Sequence, residues 1–324
     1  MSSQSLSKKQ KFINSIVFGY GATTRALDSL IGKFKRILFY QNRKITETFA
    51  DPLIDLKPQN RPKVLIGIAH ITSPQESKDF LGVGADKVER LRRTLDGLLS
   101  SFAHCDLKIT VHTLPDRNIV SGLPLYQQEC IDTISSPNCD PMYVGYRIQD
   151  ELVTHVNEYD WFMLIEDDIV ISDGWFLNKI EKFNQFSGRN KYLLFPNRYE
   201  MDESRKSYID LTIDHDIAWD RTSAIQLDGV KFSQCTNPHS GMYCLSRSQL
   251  EFWIKSGRSW NNQTIMVGPL ESAATFCLME CFTIYKPHPQ NLNYLEVGHF
   301  DTKYSKMYPG SSPFIVSAIP SSKS

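Results

Sequence analysis

The chain has 324 residues, enough for one large α/β domain or two smaller ones. Hydrophobic residues make up 41%, charged residues 22% and the formal net charge is zero, so no bulk attraction to nucleic acid is expected. Seven cysteines, an odd number without a Cys-x-x-Cys pair, argue against a disulfide scaffold or zinc knuckle and suit a reducing, cytoplasmic setting.

Residues 1–61 read as an N-terminal basic segment and linker. Residues 1–49 hold nine basic residues against two acidic ones. Residues 22–40 predict a basic amphipathic helix, with Leu27, Leu30, Ile31, Phe34 and Leu38 at helical spacing and Arg25, Lys33, Lys35 and Arg36 mostly elsewhere. Such a helix either rests on an anionic membrane surface, as a peripheral contact, or packs on the main domain with its charges solvated. No apolar run approaches the roughly eighteen residues of a membrane span. Pro52, Pro58 and Pro62 mark the linker.

The main domain is expected over 62–310, with a tail at 311–324. Lys63–Ala69 predicts a buried strand, residues 85–102 a helix with an apolar stripe from Val88 to Phe102, and Leu107–Thr113 a second strand. Strand, helix, strand is the start of a mostly parallel sheet covered by helices, a Rossmann-like α/β arrangement. Ligands bind such sheets at the carboxyl ends of strands, so Thr72 and Asp116 are candidate nucleotide contacts. Residues 115–140 read as irregular. A helix near 145–157 carries Arg147 in its first turn, where a cation suits phosphate better than it suits the helix dipole. A strand is expected at Tyr208–Ile213 from its alternation. Cys277 and Cys281 read as buried small hydrophobes.

The most informative stretch is 161–171, Trp-Phe-Met-Leu-Ile-Glu-Asp-Asp-Ile-Val-Ile. Two apolar, buried-type runs flank three successive carboxylates, Glu166, Asp167 and Asp168. Acids in such a place need compensation. Either the pair of aspartates closes a tight turn onto backbone N–H groups, or hard oxygen ligands hold Mg²⁺, Mn²⁺ or Ca²⁺. Downstream, Gly241 enters a strand and permits a close backbone approach by a ligand. Glu271 stands at a helix start, and His299 follows Gly298.

Leu164-Ile-Glu-Asp-Asp-Ile-Val170, then residues 238–246, 268–274 and His299 in that order, resemble a glycosyltransferase of the GT-A fold over residues 62–305. The acidic run matches the Asp-x-Asp type motif in its Glu-Asp-Asp form. The resemblance implies a nucleotide-sugar donor, UDP by family analogy, a glycan or lipid-linked acceptor, and Mn²⁺ or Mg²⁺ as cofactor. It implies Asp168, Glu166 and His299 as metal ligands, with Glu166 alternatively on the ribose and His299 alternatively on the diphosphate. Asp167, Arg147, Thr72 and Asp116 are the expected donor contacts. His239, Gly241, Trp175 and Trp260 are the expected acceptor contacts, and Glu271 the expected base of an inverting transfer. Ser272 departs from the pattern, since many members have Asp there. A carboxylate-based hydrolase and a non-catalytic nucleotide- or carbohydrate-binding module are the competing classes.

Overall fold

A computed structural model describes residues 61–202, 205–209, 224–234, 238–257, 268–302, 304, 306 and 315–317. The expected basic helix at 22–40 and the candidate Trp260 lie outside the described residues. In chain order the elements are β1 (Lys63–Ala69), α1 (Pro74–Lys78), α2 (Ala85–Ser101), β2 (Asp106–Thr113), α3 (Leu125–Glu129), β3 (Ile131–Ser135), α4 (Val144–Thr154), β4 (Trp161–Glu166), β5 (Ile169–Val170), α5 (Phe176–Ser187) and β6 (Tyr192–Leu194). There follow β7 (Asn197–Asp202), β8 (Arg205–Tyr208), β9 (Ala224–Leu227), β10 (Val230–Gln234), β11 (Met242–Ser246), α6 (Arg247–Lys255), α7 (Pro269–Ala274), β12 (Thr283–Pro287), β13 (Glu296–His299) and β14 (Ile315–Ser317).

The central sheet runs β11-β4-β1-β2-β3. β1 to β4 are parallel, and β11 lies antiparallel on β4. Alternation along β1 divides the core. Val64, Ile66 and Ile68 face the cluster containing Leu91, Leu95 and Leu98 of α2. Leu65 joins the opposite cluster with Tyr146, Ile148 and Leu152 of α4. Gly67 is bare because Ile148 Cγ2 sits 2.2 Å from where a Cβ would be. Helices therefore cover both faces, as two-sided apolar strands require.

The stretch expected to be irregular contains α3 and β3. β3 eluded the pattern because it is an edge strand, Ile-Asp-Thr-Ile-Ser, of which Ile131 alone is buried. Beside the mostly parallel central sheet stand two more sheets, β6-β12-β10-β9 and β14-β8-β7-β13-β5, in which most pairs are antiparallel. The strand expected from Tyr208 instead ends there, and residues 210–223 are outside the described ones. Cys277 and Cys281 are 1% and 2% exposed, as small core residues, although their segment is a 3₁₀ turn rather than an α-helix.

Candidate active site

The sheet order places β1 between β2 and β4, because the chain runs outward from β1 to β2 and β3 and then crosses back to set β4 on the other side of β1. A crevice at that point, outside the carboxyl ends of β1 and β4, is where open α/β sheets take ligands. Glu166 ends β4, and Asp167 and Asp168 make the turn into β5, which belongs to a different sheet. The acidic run is thus the joint between two sheets.

One stripe of α2 lines this joint. Lys87 Nζ lies 3.7 Å from Asp167 Oδ1, and Arg90 NH1 lies 3.9 Å from Asp168 Oδ2. Thr94 Oγ1 donates to the Asp167 carbonyl at 3.0 Å. Ser101 Oγ donates to the Ile171 carbonyl at 3.0 Å, and a Cβ on Gly97 would stand 2.6 Å from that same oxygen. These five positions recur at alternate steps of three and four, one helical face. The helix thereby carries an apolar stripe into the core and a polar stripe onto the acidic turn.

The three acids have different surroundings. Asp167 is 6% exposed, and its Oδ2 meets His70 Nδ1 at 2.6 Å, at the end of β1. Asp168 Oδ2 is 3.4 Å from His299 Nε2, while Asp168 Oδ1 is buried with no hydrogen-bond partner. Burial pushes Asp168 up, but the hydrogen bond and charge of His299, with Lys87 and Arg198, outweigh it and hold the carboxyl at about 2. Glu166 goes the other way. Removal from water, reinforced by the charge of Asp168, raises it to about 7 against the pull of Arg198 and His299.

β13 brings His299 to the joint. It pairs antiparallel with β5, where His299 sits opposite Ile169, and parallel with β7. His299 Nδ1 lies 2.8 Å from Glu200 Oε1. Burial disfavours the imidazolium, yet the hydrogen bonds to Asp168 and Glu200 prevail and lift His299 to about 9. Past His299, Asp301 Oδ2 takes a 3.0 Å bond from Arg90 NH1, and Phe300 lies under the Arg93 guanidinium.

Glu271 approaches from the other side of the central sheet. It occupies the first turn of α7, its Oε2 is buried with no hydrogen-bond partner, and its charge contributes to raising Glu166. Ser272 is fully buried and hydrogen-bonded to Tyr146. An Asp in its place would carry a charge into the core.

The remaining candidates are scattered. Thr72 is 2% exposed with an unpartnered Oγ1 near the end of β1. Ser73 beside it caps α1. Asp116 is exposed, and Arg147 is exposed on α4 and paired with Asp150 at 3.0 Å. His239 stacks on Phe276 and bonds Thr275. Trp175 is 70% exposed before α5, so it is neither core nor enclosed. Gly241 differs from expectation. Its φ is +65°, and a Cβ would meet Glu166 Oε2 at 2.8 Å and Ile169 Cδ1 at 2.9 Å. The close approach that needs glycine is therefore made by the chain's own side chains.

Arg198 and Glu200 carry a sequence signal of their own. Arg198 and Glu200 alternate along β7 and are 2% and 0% exposed. Two opposite charges at i and i+2 share one face of a strand, and burying both demands partners nearby. With them the site gathers Glu166, Asp167, Asp168, Glu200, Glu271 and Asp301 against Lys87, Arg90, Arg198 and His299. With every carboxylate and the imidazole charged, two negative charges remain over. Among the described residues, no three His, Cys, Asp or Glu side chains form a group able to hold a metal by themselves. Asp168 and His299 form a pair instead. The carboxylate of that pair suits a Mg²⁺- or Mn²⁺-type cation, which commonly takes one or two carboxylates and completes its shell from water and substrate phosphates.

No family model and no curated protein matches the chain. Among solved structures, the galactosyltransferase LgtC in complex with donor and acceptor sugar analogues aligns at 9% identity, over 69% of this chain and 72% of that one, with a TM-score of 0.34. A putative nucleotide-diphospho-sugar transferase from Desulfovibrio desulfuricans G20 aligns at 11% identity over 70% and 79%, with a TM-score of 0.32. An active-site mutant of LgtC aligns at 9% identity over 65% and 69%, with a TM-score of 0.30. Likeness this faint fixes neither a family nor an activity.

Proposed function

We propose that this chain transfers a sugar from a nucleotide-sugar donor to a hydroxyl acceptor, with Mn²⁺ or Mg²⁺ held at the acidic turn. The observation that carries the reading is Asp168. Its Oδ1 is buried and unpartnered, its Oδ2 faces His299, and Asp168 lies just past the carboxyl end of β4, one of the parallel strands of the central sheet. An orphaned buried carboxylate oxygen is costly unless something cationic meets it. Asp168 and His299 would hold the cation, with Glu166 beside them as a further ligand or a ribose contact.

Bound there, a divalent cation supplies Lewis-acid stabilisation of charge on a departing diphosphate. Lys87 and Arg90, which face Asp167 and Asp168 from α2, would meet phosphate oxygens and keep the donor in register. Thr72 and His70 line the end of β1, where the nucleoside would lie; UDP is the proposed nucleotide. Glu271 is the proposed base, taking the acceptor proton in an inverting transfer. Its unpartnered Oε2 leaves an acceptor site for that proton. The acceptor is proposed to be a glycan or a lipid-linked saccharide. Among the described residues no helix is long and apolar enough to cross a membrane.

The test is nucleoside diphosphate release from a panel of nucleotide sugars, with and without Mn²⁺, Mg²⁺ or EDTA. A unit charge pair at 4 Å and an effective dielectric near 20 is worth about 4 kcal/mol, roughly a thousandfold in rate. Asp168→Ala is therefore expected to lose nearly all turnover. Full activity in that variant, or release that ignores EDTA, would refute the assignment.

A further inference from the structure

We propose that Lys286 is a positioning residue that holds residues 238–241 and so sets the spacing between the acidic turn and α7; this rests on reading the acidic turn as the donor site and Glu271 as the base. Lys286 lies on β12, between β6 and β10 and opposite Ser233, and is 0% exposed. Its Nζ donates to the His239 carbonyl at 2.7 Å. A lysine is seldom buried so completely, and an apolar side chain of similar length would fill the space at less cost. A hydrogen bond from a charged donor is roughly twice as strong as one between neutral groups. What the position gains from an ammonium is therefore a firm hold on the backbone at His239.

The held segment touches both halves of the proposed chemistry. His239 Nδ1 lies 3.3 Å from Thr275 Oγ1, and its ring stacks on Phe276. Thr275 caps the end of α7, the short helix that carries Glu271. At the other end of the segment the Gly241 carbonyl accepts from the Glu166 N–H at 2.9 Å, and Glu166 Oε2 lies where a Gly241 Cβ would be. Between them Ser240, also fully buried, donates to the Pro196 carbonyl at 2.8 Å. Residues 238–241 thus bridge α7 to the acidic turn, and Lys286 fastens that bridge to the sheet of β12. A misplacement of about 1 Å at a reacting group can cost about a hundredfold in rate, so the bridge bears on how Glu271 meets the donor.

The test is amide hydrogen exchange in the full chain, read at two backbone groups and paired with kinetics. The Glu166 N–H bonds the Gly241 carbonyl, whereas the His70 N–H bonds the His112 carbonyl on β2 and serves as the control. Lys286→Met is expected to speed exchange at Glu166 by about 10–100-fold, the factor equivalent to a hydrogen bond to a charged group, and to leave His70 unchanged. In the same variant kcat for sugar transfer is expected to fall by about tenfold or more. The KM for the donor should hold, because Lys87 and Arg90 meet it from α2. Equal acceleration at both amides reports lower global stability alone and overturns the proposal, as does unchanged exchange at Glu166. Should Lys286→Met not fold, Lys286→Gln, whose shorter amide stays polar but falls short of His239, is read at the same two amides. A parent protein that releases no nucleoside diphosphate from any nucleotide sugar overturns the transfer reading and the effect on kcat with it. Faster exchange confined to Glu166 would still assign Lys286 its hold on residues 238–241.

Discussion

At the scale of single residues, Gly241 shows how tightly the acidic turn is built. Its left-handed backbone conformation and the two side chains lying where its Cβ would be are separate obstacles to substitution. Gly188 offers a control, because it has φ +60° at the end of α5 with nothing within 4 Å of a Cβ. Gly188→Ala is expected to cost about 1–2 kcal/mol, the conformational part alone. Gly241→Ala adds overpacking of about 1–3 kcal/mol and displaces Glu166 or Ile169. Urea denaturation of the two variants measures the difference, and equal losses would mean that the neighbours of Gly241 yield freely. That something comes close to this glycine was readable, since a glycine entering a strand signals a close approach. What approaches was not, because Glu166 and Ile169 lie more than seventy positions upstream in the chain.

At the scale of elements, α4 is tied to the sheet by a polar contact. Glu151 Oε2 meets His112 Nε2 at 2.6 Å and accepts from Thr110 Oγ1 at 2.7 Å, both on β2. Burial raises the Glu151 carboxyl, but the hydrogen bonds from His112 and Thr110 outweigh it and leave it below the ordinary value of 4.5. A carboxyl lowered in the folded state contributes stability above its unfolded value and loses it as pH falls through the folded one. Glu151→Gln is therefore expected to lower stability at pH 7 by about 1.5–3 kcal/mol, the range for hydrogen bonds to charged groups. The gap from the parent protein should close as pH drops below about 4. Urea midpoints at the two pH values check this, and a gap of equal size at both would assign the loss to packing. Elements with strong periodicity, β1, α2 and β4, stand where their apolar patterns put them. The second stripe of α2, Lys87 to Ser101, is polar and small, so it reads as solvated surface until the acidic turn is known to lie against it.

At the scale of the whole molecule, the site is assembled from segments that only the fold brings together: His70, the 166–168 turn, Arg198 and Glu200, Glu271, and His299. The acidic run stood out locally because carboxylates between buried strands are incongruous. Its partners did not, because an Arg and a Glu on a strand, or a His after a Gly, are ordinary until two sheets meet. That assembly has a measurable consequence. A cation at Asp168 and His299 joins the turn after β4 to the end of β13, so it binds the folded chain and not the unfolded one. Such a ligand stabilises by about 2.7 kcal/mol at a hundred times its Kd, and each 1 kcal/mol moves the melting temperature of a domain of this order of size by about 2–4 °C. Mn²⁺ with UDP is expected to raise the Tm by several degrees, more than the two separately, since the phosphates complete the cation shell and the cation anchors the phosphates. EDTA should reverse the rise, and Asp168→Asn should abolish the part that depends on Mn²⁺ while leaving the protein folded. Equal shifts in the parent protein and Asp168→Asn would locate the cation elsewhere, and a Tm indifferent to both ligands would remove the donor reading altogether.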